Sequence, residues 1–65
     1  VLEGVFSEEE KAEIIRRVTD AVGSVAGETI RNGTSVRIFE ARSRSWGYAG
    51  QVLTSEDARA MKAKG

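Results

Sequence analysis

Arg37 sits on a short apolar stretch, and nine residues later comes Trp46-Gly47-Tyr48-Ala49-Gly50. A guanidinium stays charged and holds carboxylates through two parallel hydrogen bonds. An aromatic in a glycine-flanked turn can wall a pocket and lower the local dielectric. Together they suggest a small anion-binding pocket. The chain has no His and no Cys, so Ser-His-Asp and Cys-His nucleophile arrangements are excluded. Chemistry must come from carboxylates, arginines, Lys, Tyr or a chain terminus. No phosphate-cradling glycine motif and no metal-ligand cluster is present, and no cofactor is expected.

Each candidate also has a plainer reading. Arg37 could pair with a helix acid or a neighbouring subunit. Trp46 could cover core or interface, and Tyr48 reads as packing with a hydroxyl free to donate to a ligand. Glu8-Glu9-Glu10 reads as a solvated helix start rather than a catalytic acid cluster.

The elements that position these residues follow from spacing. Val1 to Phe6 is apolar and partly β-branched and reads as the tail of a strand, with Gly4 marking a bend. Ser7-Glu8-Glu9-Glu10 is a capping box that opens a helix, and its acids suit the positive end of the helix dipole. Ile14, Ile15, Val18, Ala21, Val22 and Val25 fall within an arc of about 120°, opposite Glu13, Arg16, Arg17 and Asp20. The helix should run from Glu8 to Val25 or Ala26 and stop near Gly27. Residues 27–33 read as a polar connection. Thr34 to Ala41 reads as a second strand, with Val36 and Ile38 on one face and Arg37, Phe39 and Ala41 on the other. Apolar residues on both faces imply a sheet covered from both sides, and a buried Arg37 would need an anion. Residues 42–53 form a loop with a short hairpin. Thr54-Ser55-Glu56-Asp57 is a second capping pattern before a short terminal helix over Ala58 to Ala63, with Met61 docking and Lys62 and Lys64 near its negative end.

Strand, helix, strand gives an α+β fold: a single β-α-β unit with parallel strands. A chain of 65 residues buries only about 60% of its unfolded surface, and one helix covers one sheet face. Oligomerisation is therefore expected. Residues 1–30 carry seven acids and three bases, while residues 31–65 carry seven bases and three acids, so net charges of −4 and +4 face each other along the sequence. Arg31, Arg37, Arg42 and Arg44 would help attract an anion. The basic segment is too short for nucleic acid. No apolar run approaches the ~20 residues of a membrane span, which leaves a soluble cytoplasmic protein as the expectation.

The motifs, taken in order, resemble the 4-oxalocrotonate tautomerase family of the tautomerase superfamily. Val1-Leu2-Glu3-Gly4 resembles the end of its first strand, and Ser7-Glu8-Glu9-Glu10-Lys11 its "S/T-x-E-Q-K" helix start. Residues 14–21 resemble "L-I-R-x-V-T-x-A", and Ser35-Val36-Arg37-Ile38-Phe39-Glu40 the second strand. Trp46-Gly47-Tyr48-Ala49-Gly50 resembles the "W/F-G-x-G-G" turn. Residues 50–57 resemble the tail of a short-chain subgroup that also carries "E-G-V-F", as at residues 3–6. The resemblance implies one tautomerase-like domain over residues 1–65 and assembly as a homo-oligomer, a hexamer or a dimer-based form. It implies proton transfer on a 2-keto or enol carboxylic acid. It assigns Arg37 to the carboxylate or developing enolate, and Trp46 to the hydrophobic wall of the substrate pocket.

In that family an amino-terminal proline is the general base. Desolvation lowers its amine pKa toward neutrality. The chain contains no Pro, and Val1 falls inside the family's first strand rather than at its start. A Pro-led segment is therefore expected ahead of Val1; the alternative is a variant without the base. A second departure is Val5, which stands where the best-known members have a substrate-binding arginine. Two rival readings follow: a dehalogenase or decarboxylase on the same scaffold, and a non-catalytic or partner-dependent oligomer.

Overall fold

The long helix α1 spans Glu8–Ala26, as the capping and periodicity of residues 7–26 anticipate. The computed structural model describes residues 1–65 and divides into two units, Glu8–Ile38 and Val1–Ser7 with Phe39–Gly65.

In the first unit, α1 carries acids in its first turn, where the helix dipole favours them. Glu13 accepts from Arg16 at 2.6 Å and from Arg17 at 3.0 Å. These bonds hold its carboxyl below the usual carboxylate range. The residues read as a connection, 27–33, instead contain a short helix α2, Glu28–Asn32. Gly27, at φ 95°, makes the turn in a conformation that disfavours any side chain. Arg31 then returns to Asp20, at 2.7 Å. That bond raises the arginine's pKa further. Its side chain lies over Gly23, where an added Cβ would stand 2.9 Å from Arg31 Cβ. The apolar stripe of α1 is present, but none of its residues is buried. Val18, Ala21, Val22, Val25 and Ala26 line an open apolar groove.

The strand expected over Thr34 to Ala41 is not a strand. Residues 34–40 have no regular pairing, and Ala41 makes a single parallel bridge to Leu2. Strand structure needs a neighbour to take its N–H and C=O groups. Only residues 1–3 supply one: Val1 N donates to Phe39 O, Ala41 N to Val1 O and Glu3 N to Ala41 O, at 3.0, 2.7 and 2.7 Å. Beyond Leu2 the first segment turns at Gly4, φ 71°, rather than continuing as a strand. The expected alternation survives in burial: Thr34, Val36 and Ile38 are half-buried, while Ser35, Arg37 and Phe39 are exposed.

The sheet of the second unit is antiparallel. Strands β1, Trp46–Tyr48, and β2, Gln51–Leu53, pair as a hairpin. Its two-residue turn places Ala49 at φ 53° and Gly50 at φ 78°, the both-positive geometry that suits the strand twist. At Gly47 an added Cβ would meet the Gln51 carbonyl oxygen at 2.0 Å, so the close approach there requires glycine. Helix α3, Ser55–Lys64, starts earlier than expected and carries the anticipated cap. The Thr54 side chain accepts from Asp57 N while Asp57 accepts from Thr54 N. The buried apolar residues of the chain, Leu2 and Val5, lie in this unit. By unit the charge split nearly disappears: five bases and four acids in this one, five bases and six acids in the other.

Candidate active site

Three consecutive carbonyls, those of Glu3, Gly4 and Val5, accept from Ser55 Oγ at 2.5 Å, Arg59 Nη1 at 3.0 Å and Lys62 Nζ at 3.1 Å. Positions 55, 59 and 62 fall on one face of α3, so the helix clamps the amino-terminal turn. Glu3 also accepts from Ser43 N, and Ser43 Oγ accepts from Ser55 N, both at 2.9 Å. Ser55 is accordingly buried with every polar atom engaged.

This clamp builds an open apolar cleft of about 480 Å³. Val1, Leu2, Val5 and Phe6 form one wall, Trp46, Tyr48 and Leu53 a second, and Ala58, Met61 and Lys62 a third. Pairing puts Trp46 opposite Leu53 and Tyr48 opposite Gln51, so the two aromatics share a face. Their rings meet edge to face at 5.8 Å, a favoured aromatic geometry. Trp46 is 51% exposed, which leaves its ring available to a ligand. No acidic side chain lines the cleft.

The expected site residues fare differently. Trp46 is a cleft wall. Arg37 belongs to the other unit. It is exposed rather than buried between sheet faces, because residues 34–40 enter no sheet. Its bond is to the neutral Ser35 hydroxyl, at 3.2 Å, and an exposed guanidinium is solvated without an anion. The requirement for a buried counter-charge therefore falls away, while its availability to an anionic ligand remains. Lys62, read from sequence as a helix-end charge, lies 5.2 Å from the Phe6 ring centroid as a cation–π pair. The 55-59-62 spacing was its visible signal. No group of three acids gathers that could hold a metal ion.

A family model described as "Tautomerase enzyme" matches residues 1–56. The chain belongs to the tautomerase family. No curated protein and no solved structure matches it. Membership fits a β-α-β fold and suggests a tautomerase-type, isomerase function. Such proteins are typically small oligomers acting on small molecules. No helix of the chain is long and apolar enough to cross a membrane. The matched span includes both Arg37 and Trp46 and stops short of Lys62.

Proposed function

We propose that the chain is a subunit of a small homo-oligomeric tautomerase of the 4-oxalocrotonate type, working in the cytoplasm on a 2-keto or enol carboxylic acid. It moves a proton between carbon and oxygen, or between two carbons. Arg37 holds the carboxylate or the developing enolate, and Trp46 lines the apolar pocket. The general base is assigned to an amino-terminal proline that this sequence does not include. Residues 1–65 form one domain whose strands pair in parallel within the assembly, extending the Leu2–Ala41 bridge.

The observation that carries this reading is the apolar cleft against Trp46, in a chain matched to the tautomerases over residues 1–56. An apolar surrounding is what keeps an amine base neutral near neutral pH. The unburied stripe of α1 supports assembly, since an exposed apolar face of this kind marks an interaction surface.

The test is proton exchange of phenylenolpyruvate or 2-hydroxymuconate by the full-length protein, with its amino terminus sequenced. Turnover is expected, and Arg37→Ala should lower kcat roughly a hundredfold. No turnover from an intact oligomer with a confirmed terminal proline would sink the reading. A second reading, a partner-dependent or non-catalytic oligomer, is favoured by Val5, which is a buried cleft wall where a cation would be needed. Sedimentation separates homo-oligomer from mixed assembly. The hydrolytic alternative needs a group to activate water, and nothing in the cleft supports it.

A further inference from the structure

Arg31 holds two partners at once. Its Nε and Nη2 donate to Asp20 Oδ1 at 3.0 and 2.7 Å, and its Nη1 donates to Asn32 Oδ1 at 3.4 Å. Asn32 is exposed, closes α2 and is followed by Gly33. It is the sole asparagine of the chain. Glycine has no Cβ to hinder its backbone nitrogen, and the Gly33 nitrogen stands next in the chain to the Asn32 side-chain amide.

We propose that Asn32 is a self-modification site, deamidated through attack by the Gly33 nitrogen and held in check by α2. The Gly33 nitrogen gives its proton to solvent and bonds to Asn32 Cγ. The Cγ–Nδ2 bond breaks, and the amide nitrogen takes up a proton and leaves as ammonia. Water then opens the cyclic imide at either carbonyl, leaving aspartate or its β-linked isomer at position 32. Negative charge collects on Oδ1 as the nitrogen adds, and the Arg31 guanidinium donates to that oxygen. The cap of α2 opposes the step. Gly33 N donates to Ile30 O and Thr34 N to Arg31 O, both at 3.1 Å, and Thr34 Oγ1 donates to Ile30 O at 2.7 Å. Attack needs Gly33 N released from its carbonyl. Five residues make a helix that is marginal alone, and α2 has no side-chain cap at its start. The Arg31–Asp20 tie to α1 therefore governs how often α2 opens. In the product, a carboxylate at position 32 competes with Asp20 for Arg31, and the isomer lengthens the backbone before Gly33. Both changes loosen α2 from α1.

The test incubates the full-length protein in neutral buffer, folded and unfolded in guanidinium chloride, and follows Asn32 by peptide mass mapping. The folded protein should gain one mass unit at Asn32, more slowly than the unfolded chain does. Asp20→Ala should speed the folded reaction roughly two- to fivefold, as for loss of an exposed ion pair, and leave the unfolded rate alone. If that variant fails to fold, raised salt, which screens such a pair, reads the same acceleration. Gly33→Ala should slow the reaction in both states. The fold accommodates that change: Gly33 has φ −102°, and an added Cβ would stand 3.8 Å from its nearest neighbours. Asn32→Asp should raise backbone hydrogen exchange over residues 28–34 above that of the parent. An Asn32 that stays intact in the folded protein while the unfolded chain converts overturns the site, as does a rate untouched by Gly33→Ala. A folded rate equal to the unfolded one, or unmoved by loss of the Asp20 pair, overturns the control by α2.

Discussion

Within residues 8–38, the bonds of Glu13 and Asp20 are local: Glu13 reaches three and four positions ahead, and Asp20 reaches eleven. In residues 1–7 with 39–65 the bonds join the two ends of the chain. Ser55, Arg59 and Lys62 reach back 52, 55 and 57 positions to the amino-terminal turn. The buried side chains follow the same division, with Leu2 and Val5 in the second region and none on α1. Local bonds need little loop closure and leave the apolar stripe uncovered. Long-range bonds carry a closure cost, and they enclose the cleft. The region with the distant contacts brings both ends of the sequence to one cleft, while the groove of the other region is lined by a single helix.

The sharpest way to break this contrast is Leu2→Ala. Leu2 is 2% exposed, and removing a buried leucine side chain costs about 2–5 kcal/mol. Trp46 fluorescence should report loss of the cleft at lower denaturant than far-UV circular dichroism reports loss of α1. Coincident loss of both signals would show that the two regions unfold as one.

A glycine from each region gives the next comparison. Gly47→Ala drives a Cβ to 2.0 Å from a backbone carbonyl, which cannot swing aside, so a loss of about 1–3 kcal/mol is expected. Gly23→Ala instead meets the aliphatic part of Arg31. That side chain can move, and the helix gains up to about 1 kcal/mol of propensity while the Asp20 pair loosens. Thermal melts should show Gly47→Ala clearly destabilised and Gly23→Ala close to the parent.

The same contrast explains what was legible in the sequence. The bounds of α1, a hairpin within residues 42–53 and the Thr54 cap all came from signals within a few residues. The strand at 34–41 did not form, because β structure depends on a partner that composition does not name, and Arg37 was placed in a buried sheet for that reason. The α2 turn was missed because its driving contact, Arg31 to Asp20, skips a polar segment. Trp46 was read either as a pocket wall or as a cover for core or interface, and the residues it shares the cleft with, Val5, Phe6 and Lys62, come from distant parts of the sequence. Nothing in local spacing links Val5 to Lys62.

Thr54→Ala tests the boundary between local and distant order. Its side chain satisfies Asp57 N at the start of α3, and losing such a cap costs about 1 kcal/mol. Because α3 clamps residues 3–5, the Trp46 signal should shift along with the melt. A helix-only loss, with Trp46 unchanged, would mean that the clamp holds without its cap.

The smallest effect belongs to the local region. Glu13 is held below its ordinary value of 4.5, first by the Arg16 hydrogen bond and then by that of Arg17. A depressed folded-state value means that the stabilisation is present above the ordinary value and disappears as pH falls through the folded one. The group is exposed, so solvent and salt screen it. Helix content by circular dichroism should therefore be slightly higher for the parent than for Glu13→Gln at neutral pH, with the gap closing well below 4.5 and in high salt. A gap that persisted in acid would trace to packing of the side chain rather than to its charge, and would make the helical region less dependent on surface pairs than its contacts imply.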